Sequence, residues 1–322
     1  TQFVQEHTIK EALRGAGLTE LYTYSFVSRD DLERAGFTPE SALALANPLT
    51  SEMTHLRPWL GISLLKAVEH NQKEQDQLKL FELSAEYVAR FPSPQPSPAR
   101  REGDRGGGQA PALPEERQKL MVATAGREKR EGENFYEVKG IAEHLANTLA
   151  LPNFSYEKVG STAAPWVKHY HPARVLLCKS GRDILGVVGE LHPSLLRAYG
   201  LEHRVAFLEW EIRALLPLIG HGRVYEPPLL YPSVKRDIAL VVEKSVEYAK
   251  LHAAISQIDP LVHSVQLFDQ YEGQGVPADH RSLAFHITYA SPERTLTAEE
   301  AEKVHQNLAQ MLEEKFNVKI RD

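Results

Sequence analysis

The stretch SLAFHITYA, residues 282–290, decides the fold of the last third of this 322-residue chain. Its large apolar side chains stand at every second position, at Leu283, Phe285, Ile287 and Tyr289, and small or polar side chains stand between them. Alternation with a period of two is typical of a β-strand that covers a core with one face only. This strand therefore predicts a sheet with one covered face and one polar face.

The segments on either side of this strand predict a ferredoxin-like domain over residues 233–322. Thr297 and Glu300 form a capping box before a long amphipathic helix, and Ser245 is the predicted N-cap of a shorter one. Three more strands are predicted around these helices, at Lys235–Glu243, Ser264–Tyr271 and Val318–Arg321. The resulting order, β-α-β-β-α-β, is the ferredoxin-like split βαβ arrangement.

Both helices of that arrangement cover the same face of the sheet, so the opposite face is predicted to be open. An open polar face on this fold is a common platform for RNA, and Phe268 or Tyr271 could supply aromatic stacking, although both residues could instead serve as core or edge packing. The fold alone leaves a solvated face or a subunit contact as alternatives. If the strands are regular, the open face carries small and polar side chains: Asp237, Ala239, Ser282, Ala284, His286, Thr288, Lys319 and Arg321.

Residues 1–225 predict one α+β domain, because helical and strand-like periods alternate along them. Residues 226–232, EPPLLYP, predict an extended linker after it. Helices are predicted around Ile9 and Leu13 and at Ser28–Ala35, Leu60–Gln72, Phe135–Leu149 and Pro193–Ala198. Strands are predicted at Leu21–Val27, Leu78–Val88, Gln118–Ala125, Val175–Cys178, Ile184–Glu190 and Val205–Ile212.

Residues 91–116 differ from the rest of this domain, because they contain four spaced prolines, then arginines and three consecutive glycines. Such a composition cannot bury enough apolar area to fold, so a mobile insertion between two strands is predicted. A tolerated surface insertion is favoured over a basic tether that touches RNA.

The bulk composition argues against non-specific nucleic-acid binding, since the net charge is −6 and the pI is about 6.2. Residues 230–322 hold ten Lys and Arg against fourteen Asp and Glu, a net charge of −4. Cys178 is the only cysteine, which excludes an internal disulfide and favours a reducing, cytoplasmic setting. The apolar runs are too short to span a bilayer, and the start at Thr1 rather than Met indicates a fragment.

Four motifs of the C-terminal domain resemble the ferredoxin-fold anticodon-binding domain of bacterial phenylalanyl-tRNA synthetase β subunits. They are YPSVKRDIA at 231–239, LFDQYEG at 267–273, SLAF at 282–285 and RTLT at 294–297. The upstream part resembles the catalytic-like module of the same subunit. The motifs that carry this second resemblance are NPL at 47–49, LRP at 56–58, LFEL at 80–83, HPAR at 171–174 and the segment 186–193.

The resemblance implies an α+β chain with two parts: a class II synthetase-like antiparallel sheet module without an active site, and the ferredoxin-like domain. The family enzyme joins phenylalanine to tRNA(Phe) with ATP and magnesium, and it assembles as α2β2 with the catalytic site on the α subunit. ATP and magnesium are thus implied for the whole enzyme and for none of this fragment, and the editing domain is not recognisable here. The cations implied to bind tRNA are Lys235, Arg236, Arg281, Arg294, Lys319 and Arg321.

The residues themselves provide no catalytic or metal site. Arg57 is the one candidate for gripping phosphates in the upstream module, and Pro58 after it favours a structural or interface role. The glycines of 273–275 open no helix, as a phosphate-binding loop would require. His169 and His171 have no companion ligands at metal spacing.

A partner surface is predicted on helix Leu60–Gln72 and the arginine before it, although the same apolar side chains could equally form core. The residues concerned are Arg57, Leu60, Leu64 and Val68. Two other functions stay open: a stand-alone RNA-binding regulator built from synthetase-derived domains, and an enzyme with a pocket in the upstream module.

Overall fold

The computed structural model describes residues 2–88, 114–160, 165–219 and 228–321. The chain divides into two compact units, residues 1–223 and 224–322, and each is described by itself. Most of the predicted insertion, residues 91–113, lies outside the described residues, as do residues 226–227 of the predicted linker. No helix within these ranges is long and apolar enough to cross a membrane.

The first unit is built on a seven-stranded sheet, in which every pair is antiparallel except the short β1–β5 pair. The strand order is β1-β5-β6-β10-β9-β8-β7. The strands are β1 (Thr19–Glu20), β5 (Gln77–Val88), β6 (Glu115–Gly126), β7 (Phe154–Lys158), β8 (Tyr170–Ser180), β9 (Asp183–Leu191) and β10 (Val205–Glu211).

Helices cover both faces of this sheet, because successive side chains of each strand point to opposite sides. Leu80 and Phe207 face one hydrophobic core, and their neighbours Phe81 and Leu208 face the other. The first core is closed by α2 (Arg29–Arg34), α3 (Gly61–Asn71) and α5 (Pro193–Ala198). The second is closed by α1 (Gln2–Gly15), α4 (Glu133–Thr148) and α6 (Ile212–Leu215).

The predicted strand Leu21–Val27 is wrong for most of its length. Only its last two residues form a strand, β2 (Phe26–Val27), which joins a small sheet with β4 (His55–Leu56) and β3 (Leu43–Ala44), whereas β1 of the large sheet ends just before the predicted range. The predicted cap Ser28 is confirmed, since its side chain and that of Asp31 form a capping box at α2. Strand β6 begins at Glu115, inside the range predicted as insertion.

The second unit is the predicted ferredoxin-like domain. Its four-stranded sheet has the order β12-β13-β11-β14, and all pairs are antiparallel. The strands are β11 (Val234–Glu243), β12 (Val262–Tyr271), β13 (His280–Tyr289) and β14 (Lys319–Arg321), and the helices are α7 (Tyr248–Ser256) and α8 (Ala298–Phe316).

The two helices of this unit start differently from one another. Thr297 and Glu300 form the predicted capping box at α8. Ser245 does not cap α7, which begins at Tyr248 with Glu247 at its N-cap, and the Ser245 hydroxyl instead donates to the Glu243 carboxylate at 3.0 Å. The apolar sides of both helices and of the sheet form one core, which includes Leu240, Leu251 and Leu308.

Candidate nucleic-acid interface

The sheet face that α7 and α8 leave uncovered is the one predicted from the alternation. On β13, Leu283, Phe285 and Ile287 are buried against the helices, so Ser282, Ala284 and His286 lie on the open face. Ala239 of β11 pairs with Ala284, and together they give this face a low floor of small side chains. Opposite residues of antiparallel strands point to one side, and Arg321 and Lys319 pair with Ala239 and Val241. The last strand thus adds two exposed cations to the open face.

A β-bulge in β12 brings aromatic side chains to this face. Leu267 pairs with Phe285 on the core side, but Asp269 pairs with Ala284, so Phe268 is the extra residue. In a regular strand, Tyr271 would share the side of Leu267, because the two are four positions apart. The bulge shifts the alternation and places Tyr271 opposite Ser282 on the open face. The prediction from regular strands missed this shift.

The Phe268 ring stacks on the ring of His286, with 3.8 Å between centroids and 10° between planes. The Nδ1 atom of His286 lies 2.6 Å from Oδ1 of Asp237, which fixes the imidazole under the phenyl ring. Phe268 remains 47% exposed, so its second face is available for stacking. This clamp creates a rigid aromatic platform at the β12 side of an otherwise low surface.

A cleft of about 730 Å³ lies beside this platform. Phe268, Tyr271 and Arg321 contribute to its walls, and Ala239 and Ala284 lie in its floor. Gly273 lets the ring of Tyr271 fold back towards the loop, since a Cβ there would lie 2.6 Å from the tyrosine oxygen. The site thus combines aromatic rings, a cation and space for a flat group.

The structure divides the six predicted cations into two sets. Lys235, Lys319 and Arg321 are exposed on the open face. Each of the other three is tied to an acceptor within the chain: Arg236 pairs with Glu302 at 3.3 Å, Arg281 donates to the Val246 carbonyl at 2.8 Å, and Arg294 forms a double hydrogen bond with Glu300.

The large sheet of the first unit buries Arg57 completely. Its guanidinium donates to the Ala85 carbonyl at 3.0 Å, to Ser63 Oγ at 2.9 Å and to Thr23 Oγ1 at 2.7 Å, and it pairs with Glu82 at 3.4 Å. Burial lowers the pKa of Arg57, and the Glu82 carboxylate opposes that effect. The donors are fully used, so Arg57 is a structural arginine and grips no phosphate.

Two buried carboxylates lie on the same sheet. Glu86 accepts from the Leu60 N–H at 2.8 Å, and Glu209 accepts from Trp59 Nε1 at 3.1 Å and Tyr170 OH at 3.3 Å. Burial, and then the charge of Glu209, raises the pKa of Glu86 to about 8. Carboxylates and bulky aromatic rings fill this part of the sheet, whereas the phosphates of a nucleotide would require cations and open space, so these residues do not fit a nucleotide.

Lys119 balances part of this negative charge. Its Nζ lies 3.2 Å from both Glu209 and Glu211, and although burial opposes the effect, the carboxylates of Glu209 and Glu86 raise the pKa of Lys119. His169 is buried with its ring stacked on Trp59 at 4.1 Å. Burial raises the pKa of the Cys178 thiol to about 12. No group of three potential metal ligands occurs in the described ranges.

Two family models match this chain. One, described as the phenylalanyl tRNA synthetase beta chain CLM domain, matches residues 2–212, and the other, described as the ferredoxin-fold anticodon binding domain, matches residues 230–321. The chain belongs to the phenylalanyl-tRNA synthetase β chain family.

Named members of the phenylalanyl-tRNA synthetase β chain family match almost the whole of this chain. The phenylalanine–tRNA ligase β subunit of Geobacillus kaustophilus is 33% identical over 315 residues, covering 97% of this chain and 37% of that protein. That of Moorella thermoacetica is 32% identical over 325 residues, covering 98% and 38%. The chain therefore spans less than two fifths of the length of these curated relatives.

Two solved pyrrolysyl-tRNA synthetase structures from Desulfitobacterium hafniense also resemble this member of the family. They have TM-scores of 0.47 and 0.48 and sequence identities of 15% and 14%. The matches cover 66% and 67% of this chain and 66% and 68% of those chains.

The predicted subunit contact on Arg57, Leu60, Leu64 and Val68 does not fit the structure of this β chain. All four side chains are at most 1% exposed, and the three apolar ones belong to the core that α3 shares with the large sheet. A side chain buried within its own chain offers a partner no surface. The core alternative considered for this helix is the correct one.

One exposed apolar surface of the first unit lies around Tyr22 and Tyr24, which are 81% and 73% exposed. Lys10 holds the first ring, with its Nζ 5.0 Å from the ring centroid and 3.1 Å from the hydroxyl. Phe26 and Met53 extend these rings into a groove of about 360 Å³. The sequence shows aromatic residues at 22, 24 and 26, but the strand predicted there gave no reason to expect that Tyr22 and Tyr24 would be exposed.

Proposed function

We propose that this chain is the part of a phenylalanine–tRNA ligase β subunit that binds tRNA(Phe) and holds the catalytic α subunit. The observation that carries the RNA assignment is the open face of the second unit, which has an exposed Phe268 ring on β12 and exposed cations on β11 and β14. The names of the relatives support the ligase assignment. ATP, magnesium and the aminoacylation step belong to the whole enzyme, in a cytoplasmic setting.

RNA binding on this face uses two kinds of contact. Lys235, Lys319 and Arg321 neutralise backbone phosphates, and Phe268 stacks on an unpaired base. Asp237 serves the stack by holding His286, so its negative charge is an element of the site. Arg236, Arg281 and Arg294 are left out of the proposal because each is already tied to an acceptor within the chain.

The test is the salt dependence of tRNA(Phe) binding to the full chain. Changing Lys319 and Arg321 to Ala removes two phosphate contacts, so the slope of log K against log salt should fall by about 1.4 to 1.8. A matched control changes Lys250 and Lys303, two exposed cations on the helices of the same unit. A slope that stays the same, or that falls equally in the control, would contradict the assignment.

For the α subunit, we propose the groove at Tyr22 and Tyr24 as the contact surface. Exposed aromatic rings beside an apolar groove are typical of the central residues of protein interfaces. Changing both tyrosines to Ser should abolish the complex that gel filtration with light scattering detects between this chain and the α subunit. Ile184→Ser, at another exposed apolar position, is the control and should leave it intact.

Retained complex formation in the double variant would move the contact elsewhere. If the natural chain bound tRNA(Phe) but never the α subunit, a stand-alone RNA-binding regulator would become the better reading.

A further inference from the structure

We propose that the first unit carries a second RNA contact, which binds the phosphate backbone. It consists of Arg127, Lys129 and Arg130 in the turn between β6 and α4, together with Tyr136 in the first turn of that helix. We call these four residues the basic turn. The inference rests on the proposed tRNA-binding function and extends it to a different part of the chain.

The backbone of the basic turn is held by the acids around it. The Glu128 carboxylate accepts from the N–H groups of Asn134 at 3.1 Å and Gly132 at 3.3 Å, and the Glu133 carboxylate accepts from the Lys129 N–H at 2.6 Å. The carboxylates of Glu128 and Glu133 are therefore hydrogen-bonded to the backbone and not to the cationic side chains of the turn. The turn keeps its shape without using its cationic side chains.

The start of the turn is fixed just as firmly. Gly126 has a φ of +149°, and a Cβ there would lie 2.3 Å from the Asp76 carbonyl oxygen. The buried Asn134 side chain donates to the Gly126 carbonyl at 3.0 Å, and Gln77 donates to the Arg127 carbonyl at 2.9 Å. A rigid backbone lowers the entropy cost of binding through the side chains it carries.

The remaining charges near the turn pair with one another. Arg174 pairs with Glu131 and, at 2.7 Å, with Glu190, and Arg204 pairs with Glu190 at 3.3 Å. Within the described part of the chain, Arg127, Lys129 and Arg130 have no carboxylate within 4.0 Å, and all three are exposed. The sequence hides this asymmetry, because acids and bases in residues 127–133 are equal in number.

Tyr136 adds an aromatic ring next to these cations. It is 68% exposed, although it lies in a helix whose other side is buried. The Tyr136 ring lies close to Gly132, since a Cβ added at Gly132 would be 3.6 Å from the ring. The Phe135 ring lies edge-on to the Tyr136 ring, with 5.5 Å between their centroids. Three unpaired cations beside an exposed ring fit an RNA backbone with an accessible base or ribose. RNA is also the ligand in the proposed function.

The test uses the full chain with a tRNA(Phe) transcript and compares two triple variants of equal charge change. One changes Arg127, Lys129 and Arg130 to Ala. The control changes three exposed cations elsewhere in the first unit, Lys73, Arg182 and Arg213. Loss of three phosphate contacts should lower the salt slope by about 2 to 2.7, and at 0.1 M salt the affinity should fall by roughly 100- to 500-fold.

A charge-preserving variant, with Arg127 and Arg130 changed to Lys, should keep the slope, which separates charge from disturbance of the turn. Equal slopes in the triple variant and its control would overturn the inference, while the Lys319 and Arg321 variant would still report on the proposed function. A triple variant that binds RNA normally but loses the α subunit would also overturn it, because the basic turn would then be a protein contact.

Discussion

Replacing Glu86 by Gln tests the account of the buried carboxylates in the large sheet. Glu86 is 5% exposed, and burial together with the Glu209 charge raises its pKa to about 8 from an ordinary value of 4.5. At neutral pH the folded chain therefore keeps a proton on this side chain, whereas the unfolded chain has lost it. Glutamine preserves the shape and the acceptor for the Leu60 N–H, but it cannot ionise.

The sign and size of the effect follow from this difference. A group whose pKa is raised on folding contributes stability that is complete below its unfolded pKa and is lost as the pH rises through the folded pKa. Between 4.5 and about 8 the pKa changes by 3.5 units, worth on the order of 5 kcal/mol at about 1.4 kcal/mol per unit. As the pH rises from 4.5 to about 8, the free energy of unfolding of E86Q should increase, relative to that of the natural chain, by up to about 5 kcal/mol. At higher pH the difference between the two chains should stay constant.

Urea unfolding followed by tryptophan fluorescence measures this difference. The three tryptophans, Trp59, Trp166 and Trp210, all lie in the first unit, so the signal reports the unfolding of that unit. The control is E116Q, which changes an exposed carboxylate on the neighbouring strand and should show no such trend. A difference between E86Q and the natural chain that is constant from about pH 5 to 9, or that turns against the variant, would refute the reasoning.

Two further predictions concern single side chains. Phe268→Ala should weaken tRNA(Phe) binding by about 1 to 3 kcal/mol, roughly 5- to 150-fold, without changing the salt slope, because stacking is not a phosphate contact. The control Phe268→Tyr should bind normally. A normal affinity in the Ala variant would exclude the stacking contact. Gly186→Ala should destabilise the first unit by about 3 kcal/mol or more, since φ is +154° and a Cβ would lie 1.8 Å from the Glu209 carbonyl oxygen. An unchanged urea midpoint would contradict this close approach of β9 and β10.

The sequence predicted the second unit well because its signals are local. Alternation in 282–290 and the Thr297–Glu300 capping box depend on residues close together in the chain, and both are present in the structure. The open face followed from the same period of two. The cation Arg236 could not be assigned this way, because its partner Glu302 lies 66 positions away on another element.

The failures in the first unit have the same physical origin. Leu60 and Val68 form an apolar helix face, and periodicity cannot tell whether such a face meets its own sheet or a partner. Arg57 is buried and hydrogen-bonded by groups from three separate segments, and Ser245 does not cap α7 because that helix starts later. Tyr22 and Tyr24 alternate like strand residues, yet no strand partner reaches them in the described structure.

The bulge at Phe268 has a consequence for how this surface can vary among related chains. The strand keeps its core-facing residues Val265 and Leu267 in register with β13, while one extra residue provides the ring on the other side. If this face binds RNA as proposed, substitutions at Phe268 and at Tyr271 beyond it should alter which bases are accepted while the core stays the same. The residues that stabilise the core and the residues of the proposed RNA contact are thus different residues of one strand, so the specificity of this face could diverge while the fold is retained.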